Sequence, residues 1–275
     1  MHNLRYKLVV ADLDGTLLND RTEITGRALR AIAAFHEAGG YFTYATGRTD
    51  ESAKMFAEQA GVKAPGISFN GGKIVSIPDG RVIYETFLDA GCAKAAFKAL
   101  REYKKDVVVY MDTCRFVGEY TDVVDRYLDR VRLSAQVVGD IDRAIGDGAG
   151  LKKMIVIDPK HESDLIISTA KPLFGEKYNF VMSSPEFYEF LPPGTSKGAA
   201  LKILAGYLGI GLDETAAIGD HLNDVSMIAA AGLGVAVANA APEALAAARY
   251  ITASNDDDGV AELLEKLLGA DGGGL

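Results

Sequence analysis

The stretch LVVADLDGTL, residues 8–17, joins a short apolar run to an acidic turn. Four apolar residues, rich in branched side chains and closed by a glycine-containing turn, predict a buried parallel strand. Asp12 and Asp14 then lie at the carboxyl end of that strand, where ligands bind in open α/β sheets. Gly15 allows the chain to turn sharply after them. The stretch therefore predicts an α/β fold with a site at the end of its first strand.

Two aspartates in this spacing can divide a phosphoryl transfer between them. One carboxylate can attack phosphorus and form an aspartyl-phosphate, which replaces one difficult displacement by two easier ones. A second carboxyl group, two residues on, can protonate the leaving oxygen and later deprotonate the attacking water. A strand that ends in a solvated acidic turn is the alternative, and these residues alone leave both interpretations open.

Composition restricts the partners and the compartment. The chain has 275 residues, of which 48% are hydrophobic and 24% charged, and its net charge is −9. That charge, without an extended basic block, argues against nucleic acid or an anionic membrane as partner. Cys92 and Cys114 lack the spacing of metal ligands and predict free thiols in a reducing compartment. No apolar core of a signal peptide opens the chain and no run approaches the roughly 20 residues that span a bilayer, so a cytoplasmic protein is predicted.

The order of predicted elements favours a doubly wound sheet. A helix from Thr25 follows the first strand, a second buried strand occupies 41–45, and another helix starts near Thr49. Strand, helix and strand form a βαβ unit, the building block of parallel sheets. The segment 66–76 is predicted as a hairpin, because Asn70 is followed by glycine. These features predict a Rossmann-like parallel core.

The pattern changes from about residue 84. The predicted elements are a helix at 89–103, strands at 107–111 and 115–119, a helix at 122–129, a strand at 152–157, a helix at 160–174, and strands at 178–183 and 187–191. Helix and loop are predicted for 139–150. Such mixed units predict a separate α/β cap inserted into the first domain. We expect a core over 1–83 and 191–275, a cap over 84–190, and a disordered tail over 269–275.

Further polar residues follow other predicted elements. Thr46-Gly47-Arg48 follows the second strand, and a threonine hydroxyl beside a helix N-terminus can hold phosphate. Taken alone, these three residues fit a helix-capping loop better. Lys197 lies in a predicted first helical turn, where a cation is favourable only if an anion is present. An exposed lysine is the alternative. Asp220 and Asp224 follow a buried strand at 215–219, and acids that open a helix are the alternative there.

Together these motifs resemble the haloacid dehalogenase superfamily of phosphatases. The spellings Thr46-Gly47-Arg48, Asn70-Gly71-Gly72, Ser196-Lys197-Gly198 and Gly219-Asp220-His221-Leu222-Asn223-Asp224, with the insertion after the third strand, resemble its Cof-like sugar-phosphatase branch with an α/β cap. The resemblance covers nearly the whole chain. A glycine usually follows the Gly-Asp pair in that branch, and His221 stands there in this sequence.

The resemblance implies a role for each matching residue. Asp12 would be the nucleophile, Asp14 the general acid and base, and Thr46 and Lys197 would support catalysis by binding the phosphoryl group and neutralising its charge. Gly47, Arg48 and Asn223 would join Thr46 and Lys197 in binding substrate. Mg²⁺ would be held by Asp12, Asp14 through its backbone carbonyl, Asp220 and Asp224, and oxygen ligands of this kind suit that ion.

The predicted function is a Mg²⁺-dependent phosphatase for a small phosphomonoester, in particular a sugar phosphate. A phosphomutase or phosphotransferase, and a non-catalytic module that binds a phosphorylated ligand, are the alternatives. The partner would be a small phosphorylated metabolite, and the protein a monomer or homodimer. The inserted segment would close over the site and select the leaving group.

Contacts between the inserted segment and the leaving group are less defined by the sequence. Tyr188, Glu189 and Arg115 are candidates, with packing roles as the alternative. His2, His36 and His161 belong to no motif and are interpreted as structural or solvated.

Overall fold

The computed structural model describes residues 4–103, 105–112, 114–147, 150–160, 162–184 and 186–269. The predicted disordered tail thus lies outside the described residues except for Gly269, as do His2 and His161. The chain forms two compact units. Unit 1 comprises Met1–Tyr84 and Ser196–Leu275, and unit 2 comprises Glu85–Thr195.

Strands and helices alternate along much of the chain. In sequence order they are β1 (Leu8–Ala11), α1 (Gly26–Glu37), β2 (Tyr41–Tyr44), α2 (Asp50–Gln59), β3 (Gly66–Ser68), β4 (Lys73–Val75), β5 (Val82–Glu85), α3 (Ala90–Glu102), β6 (Asp106–Met111), β7 (Arg115–Val117), α4 (Asp122–Val131), β8 (Gln136–Val137), α5 (Ile141–Ile145), β9 (Leu151–Ile157), α6 (Ser163–Phe174), β10 (Asn179–Ser184), β11 (Phe187–Leu191), α7 (Lys197–Leu208), β12 (Thr215–Gly219), α8 (Val225–Ala230), β13 (Leu233–Ala236), α9 (Pro242–Ala247), β14 (Tyr250–Ile251) and α10 (Gly259–Leu268).

The main sheet of unit 1 is parallel and has the order β14-β13-β12-β1-β2. Along the interior strand β1, Val9 and Ala11 belong to one apolar cluster and Leu8 and Val10 to another. The first cluster includes residues of α1 and α10, and the second includes residues of α7. Because β1 is apolar on both faces, helices cover both sides of the sheet. The predicted doubly wound parallel core is confirmed.

A second, three-stranded sheet of unit 1 has the order β3-β4-β5. Strands β3 and β4 form the predicted hairpin, with Ile67 opposite Ile74. A 3₁₀ turn, Phe69–Gly71, connects them, and the backbone of Phe69 and Asn70 is left-handed, with φ of 53° and 54°. This turn is wider than a two-residue hairpin and points its residues towards other loops of unit 1.

Unit 2 is built on a six-stranded sheet with the order β10-β11-β9-β6-β7-β8. Neighbouring strands are antiparallel apart from β7 and β8. One face packs against α3 and α6 through an apolar cluster that includes Phe97 and Ile166. The opposite face carries a buried ion pair between Lys153 and Glu189, in which Lys153 Nζ lies 2.7 Å from Glu189 Oε2. Mixed α/β structure in this segment agrees with the sequence.

Two details of unit 2 differ from the predicted elements. Strand β8 was not predicted, since Gln136 and Val137 are too few for a periodic pattern. Helix α6 begins at Ser163 and not at 160, because the Asp158 carboxylate accepts the backbone N–H groups of Lys160 and Glu162 and holds them in a loop. Of the predicted helix and loop over 139–150, α5 forms the helix and residues 148–149 lie outside the described part.

Other predictions concern single residues and membrane spans. Cys92 and Cys114 are free and half-buried. His36 lies 3.1 Å from the carbonyl oxygen of Gly40 through Nδ1, which agrees with a structural role. In the described ranges, no helix has the length and apolar character needed to cross a membrane.

Candidate active site

The candidate site lies at the carboxyl edge of the parallel sheet of unit 1. The loops that follow β1, β2 and β12 leave neighbouring strands at that edge, and the first turn of α7 joins them. The backbone N–H of Asp12 donates to the carbonyl of Ile218 at 2.9 Å, so the first loop starts beside the third. Residues far apart in sequence are thereby brought into contact.

Lys197 is the centre of the acidic cluster. Its Nζ donates to Asp12 Oδ1 at 2.6 Å and to Asp224 Oδ1 at 2.5 Å. The lysine and Asp224 have no exposed surface, and Asp12 is buried. These two carboxylates are anions beside Lys197, as the sequence predicted. The alternative of an exposed lysine is wrong.

The loop after β12 is held by Asp224. Its Oδ2 accepts the backbone N–H groups of Asp220 and His221, both at 3.0 Å. Asp220 in turn accepts the hydroxyl of Thr16 through Oδ1 at 2.8 Å. Thr16 belongs to the stretch LVVADLDGTL, but no role was predicted for it. Its place directly after Asp14 and Gly15 was the sequence signal that could have identified this contact. The alternative that Asp220 and Asp224 merely open a helix does not explain these contacts.

Three carboxylates of the cluster lie close enough together to hold a divalent cation. Asp12, Asp220 and Asp224 each offer an oxygen, and these oxygens all lie within 4.8 Å of one another. Gly15 lies against this group, since a Cβ there would come within 2.7 Å of Asp220 Oδ2 and its φ is +78°. Hard oxygen donors with a net negative charge fit Mg²⁺. For the fourth predicted ligand, Asp14, the predicted donor is the backbone carbonyl, and its side chain pairs with Arg48.

The charges of the cluster change its protonation equilibria. Burial raises the pKa of Asp12 well above its ordinary value, against the opposing charge of Lys197. Burial, reinforced by the negative charge of Asp224, raises the pKa of Asp220 to about 6. Burial acts to lower the pKa of Lys197, but Asp12 and Asp224 reverse the effect and raise it above its ordinary value. Lys197 is therefore a permanent cation that lies between the carboxyl groups of Asp12 and Asp224.

Arg48 pairs with Asp14. Its Nε donates to Asp14 Oδ2 and its Nη2 to Asp14 Oδ1, each at 2.7 Å. The guanidinium also donates to Ser52 Oγ at 3.1 Å and lies 5.1 Å from the ring centre of Phe56. The Asp14 carboxylate is about half exposed, whereas the arginine side chain is 9% exposed. Arg48 was predicted to bind substrate, and the structure adds a contact with the predicted acid and base.

Thr46 lies in the loop after β2 and is buried. Its hydroxyl accepts the backbone N–H of Arg48 at 3.1 Å, and its backbone N–H donates to the carbonyl of Ile67. The hydroxyl hydrogen remains available to an acceptor, because this contact uses the oxygen as acceptor. A capping role belongs instead to Thr49, which accepts the N–H of Ser52.

Asn70 and Asn223 meet beside this loop. Asn223 Nδ2 donates to Asn70 Oδ1 at 3.0 Å, and a Cβ on Gly47 would come within 3.1 Å of the Asn70 amide. The sequence identified Asn70 only as a hairpin residue and as part of a matching motif. Within the described ranges, Asn223 Oδ1 and His221 Nδ1 are buried atoms without a hydrogen-bond partner.

The three residues proposed from the inserted segment belong to unit 2. Arg115, Tyr188 and Glu189 are all buried. Tyr188 belongs to the apolar cluster of that unit, Arg115 Nε donates to the carbonyl of Ser134 at 2.7 Å, and Glu189 pairs with Lys153. These contacts agree with the packing roles stated as the alternative.

Comparison with known proteins shows the family to which the chain belongs. The family model of haloacid dehalogenase-like hydrolases matches residues 9–264. The Bacillus subtilis protein named "Putative phosphatase YxeH" is 34% identical over 272 residues, which cover 96% of this chain and 98% of that protein. The 5-amino-6-(5-phospho-D-ribitylamino)uracil phosphatase YitU of B. subtilis is 27% identical over 267 residues. The matched residues cover 94% of this chain and 96% of that protein.

A solved structure shows the same fold. The crystal structure of a haloacid dehalogenase-like hydrolase from Bacteroides thetaiotaomicron superposes with a TM-score of 0.86 at 29% identity, covering 96% of this chain and 100% of that one. Three findings give the same family: the family model matches most of the chain, YxeH is a relative over nearly its whole length, and the solved structure has the same fold. The chain belongs to the haloacid dehalogenase-like hydrolases, in their Cof-like branch, and is a phosphoric monoester hydrolase.

Proposed function

We propose that this hydrolase is a Mg²⁺-dependent phosphatase that cleaves a small phosphomonoester through an aspartyl-phosphate on Asp12. The observation that carries the proposal is the position of Lys197 Nζ, which bridges Asp12 and Asp224 at 2.6 and 2.5 Å. A carboxylate that approaches a phosphate dianion is repelled unless cations lie beside both groups. A buried, permanently charged lysine supplies one such cation at the attacking oxygen.

The second cation would be held by Asp12, Asp220 and Asp224, whose oxygens lie within 4.8 Å of one another. The backbone carbonyl of Asp14 remains the further ligand that we propose. When bound, Mg²⁺ would neutralise charge on the phosphoryl group and bring it into line with Asp12. Thr16 and the backbone N–H groups of residues 220 and 221 orient these ligands, because they hydrogen-bond Asp220 and Asp224.

In the first step, an oxygen of Asp12 would attack phosphorus while Asp14 donates a proton to the leaving oxygen. In the second, Asp14 would take a proton from water, which attacks the phosphorus and releases phosphate and free Asp12. Thr46, Gly47 and Asn223 would bind the phosphoryl oxygens, together with Lys197. Phosphomonoester hydrolysis is very slow in water, with enzymatic accelerations up to about 10²¹-fold, so positioning and charge must supply most of the effect.

The substrate that we propose is a sugar phosphate or a related phosphorylated polyol. The relative YitU is named as a phosphatase for a phosphorylated ribityl compound, which supports this class. We propose that unit 2 acts as the cap that selects the leaving group. The negative net charge of the chain supports a small metabolite as partner over nucleic acid. We also propose that the protein is cytoplasmic and that it is a monomer or a homodimer.

The test is phosphate release from a panel of sugar phosphates, nucleotides and phosphorylated cofactors, with Mg²⁺ or with EDTA. Wild type and Asp12→Asn are compared, and quenched reactions are analysed by intact mass for an adduct that hydroxylamine removes. We expect release only with metal, an adduct only in wild type, and loss of turnover in the variant. Undiminished turnover in EDTA or in Asp12→Asn would contradict the mechanism.

Product analysis separates hydrolysis from transfer to a second molecule. Free phosphate equal to the substrate consumed supports a phosphatase, whereas an isomerised sugar phosphate would indicate a mutase. Tight binding of a phosphorylated ligand without any turnover would contradict both activities.

A further inference from the structure

The turn Phe69–Gly71 lies against three parts of the candidate site. The backbone N–H of Asn70 donates to the carbonyl of Thr46 at 2.9 Å, and its side chain accepts from Asn223. Gly71 lies against the start of α7, since a Cβ there would come within 2.2 Å of the carbonyl oxygen of Ser196. One turn therefore contacts the loop after β2, the loop after β12 and the residue that precedes Lys197.

Asn70 is held firmly in this turn. It has no exposed surface, and its backbone is left-handed with φ of 54° and ψ of 31°. Asparagine adopts this conformation more readily than other residues with a side chain, apart from aspartate. Gly47 leaves the room for its amide, because a Cβ on Gly47 would lie 3.1 Å from both Oδ1 and Nδ2. The side chain of Asn70 is thus buried and packed beside Gly47 as well as hydrogen-bonded to Asn223.

Asn223 depends on Asn70 for its orientation. In the part of the chain that the structure describes, its side-chain amide makes one hydrogen bond, from Nδ2 to Asn70 Oδ1 at 3.0 Å. Its own Oδ1 is buried and has no partner there. An amide group can rotate by half a turn and exchange its donor and acceptor ends. The contact with Asn70 is what selects one of these two orientations.

We infer that Asn70 is a positioning residue for Asn223 and acts through it on the binding of the phosphoryl group. The inference rests on the proposed function, in which Asn223 contacts that group. With one Nδ2–H donated to Asn70, the second remains for a phosphoryl oxygen. If Asn70 were absent, the rotated amide would present its carbonyl oxygen to an anion and repel it.

The variants follow from the backbone geometry. Asn70→Gly removes the amide but retains the left-handed backbone and the N–H that Thr46 accepts. Asn223→Ala removes the group on which Asn70 is inferred to act, and the double variant closes a mutant cycle. Binding of inorganic phosphate is measured by calorimetry in the presence of Mg²⁺, with kcat and KM for the best substrate of the panel.

The expected pattern is non-additive. We expect Asn70→Gly and Asn223→Ala each to weaken phosphate binding about tenfold, the effect usual for groups that orient a ligand. The double variant should also lose about tenfold and not the roughly hundredfold expected of independent sites. An Asn70→Gly effect that persists in full in the Asn223→Ala background would overturn the inference.

A second readout does not depend on catalysis. The side-chain NH₂ resonances of Asn223, identified by their loss in Asn223→Ala, report its hydrogen bond in ¹H–¹⁵N spectra. They should shift and exchange faster with water in Asn70→Gly, whereas Asn70→Asp, which retains an acceptor oxygen and tolerates the left-handed backbone, should preserve them. Unchanged resonances in Asn70→Gly would contradict the positioning role even if phosphate binding weakened.

The two proposals fail in different ways. A wild-type protein that releases phosphate and binds it, but shows additive effects in the cycle, would overturn the role of Asn70 alone. A wild type that neither binds nor releases phosphate would overturn the proposed function and, with it, the inference.

Discussion

Asp14 and Arg48 form a bidentate ion pair in which each carboxylate oxygen accepts one guanidinium N–H at 2.7 Å. The two lie 34 positions apart in sequence, and the parallel pairing of β1 with β2 brings their loops together. Ser52 and Phe56 hold the guanidinium from the other side. The carboxylate proposed as acid and base is thereby fixed in direction although it is about half exposed.

Arg48→Lys should lower kcat for a sugar phosphate by about tenfold or more, because lysine cannot hold a carboxylate through two parallel hydrogen bonds. The loss should be much smaller for an aryl phosphate whose leaving group needs little protonation. Steady-state kinetics with both substrates makes the comparison. Equal losses with both substrates would instead favour direct binding of the phosphoryl group by Arg48.

Lys197→Met should destabilise the metal-free protein by about 3–5 kcal/mol, because it leaves Asp12 and Asp224 buried without their cation. The midpoint of urea unfolding in EDTA measures the loss. The matched control is the double variant Lys197→Met with Asp12→Asn, which removes one negative charge together with the positive one. The double variant should recover part of the stability, and further destabilisation would count against the charge argument.

Gly15→Ala should weaken the apparent affinity for Mg²⁺ by about tenfold, because its Cβ would displace the Asp220 carboxylate. Gly39→Ala is the control, since Gly39 also has a positive φ, of +94°, but nothing lies within 4 Å of its Cβ position. Both variants should lose about 1–2 kcal/mol of stability from backbone strain. Only Gly15→Ala should change the Mg²⁺ titration of activity, and an equal change in both would refute the argument.

His36 should make stability depend on pH. Burial lowers its pKa in the folded protein, whereas the unfolded chain retains a value of about 6.5. At pH values between the lowered pKa and about 6.5, the unfolded chain binds more protons at His36 than the folded protein does. The free energy of unfolding therefore falls as pH falls through this range, and the contribution of His36 is fully present above it. Urea midpoints at a series of pH values measure this. His36→Gln should lose this component, and an unchanged pH dependence would exclude His36 as its source.

Much of the fold followed from local patterns. The order of apolar strands and helices in unit 1 predicted the parallel sheet, and the strand at 215–219 was predicted with the bounds that β12 shows. The ends of the strands carry the acids of the cluster, as the rule for open α/β sheets leads one to expect. Prediction succeeded for these features because periodicity and strand ends are properties of short segments.

The contacts within the site could not be predicted in the same way. Nothing near Asp14 in the sequence indicates that Arg48 is its partner, because the pairing depends on which strands are neighbours. Asn70 was identified as a turn residue, which it is, but its hydrogen bond to Asn223 joins residues 153 positions apart. Thr16 lay inside the motif, yet its partner Asp220 is reached only through the adjacent strand β12.

The strands of the parallel sheet of unit 1 come from both of its chain segments, Met1–Tyr84 and Ser196–Leu275. Strand β1 is paired on one side with β2 and on the other with β12. During synthesis the ribosome therefore releases β1 and β2 long before β12. Until then, one edge of β1 lacks its neighbour, and apolar residues such as Val9 and Val10 lack part of their cover. A nascent chain of this kind is exposed to aggregation and to chaperones. The acidic cluster, too, can assemble only after Lys197 and Asp224 have been translated, so Asp12 lacks its buried cationic partner until then.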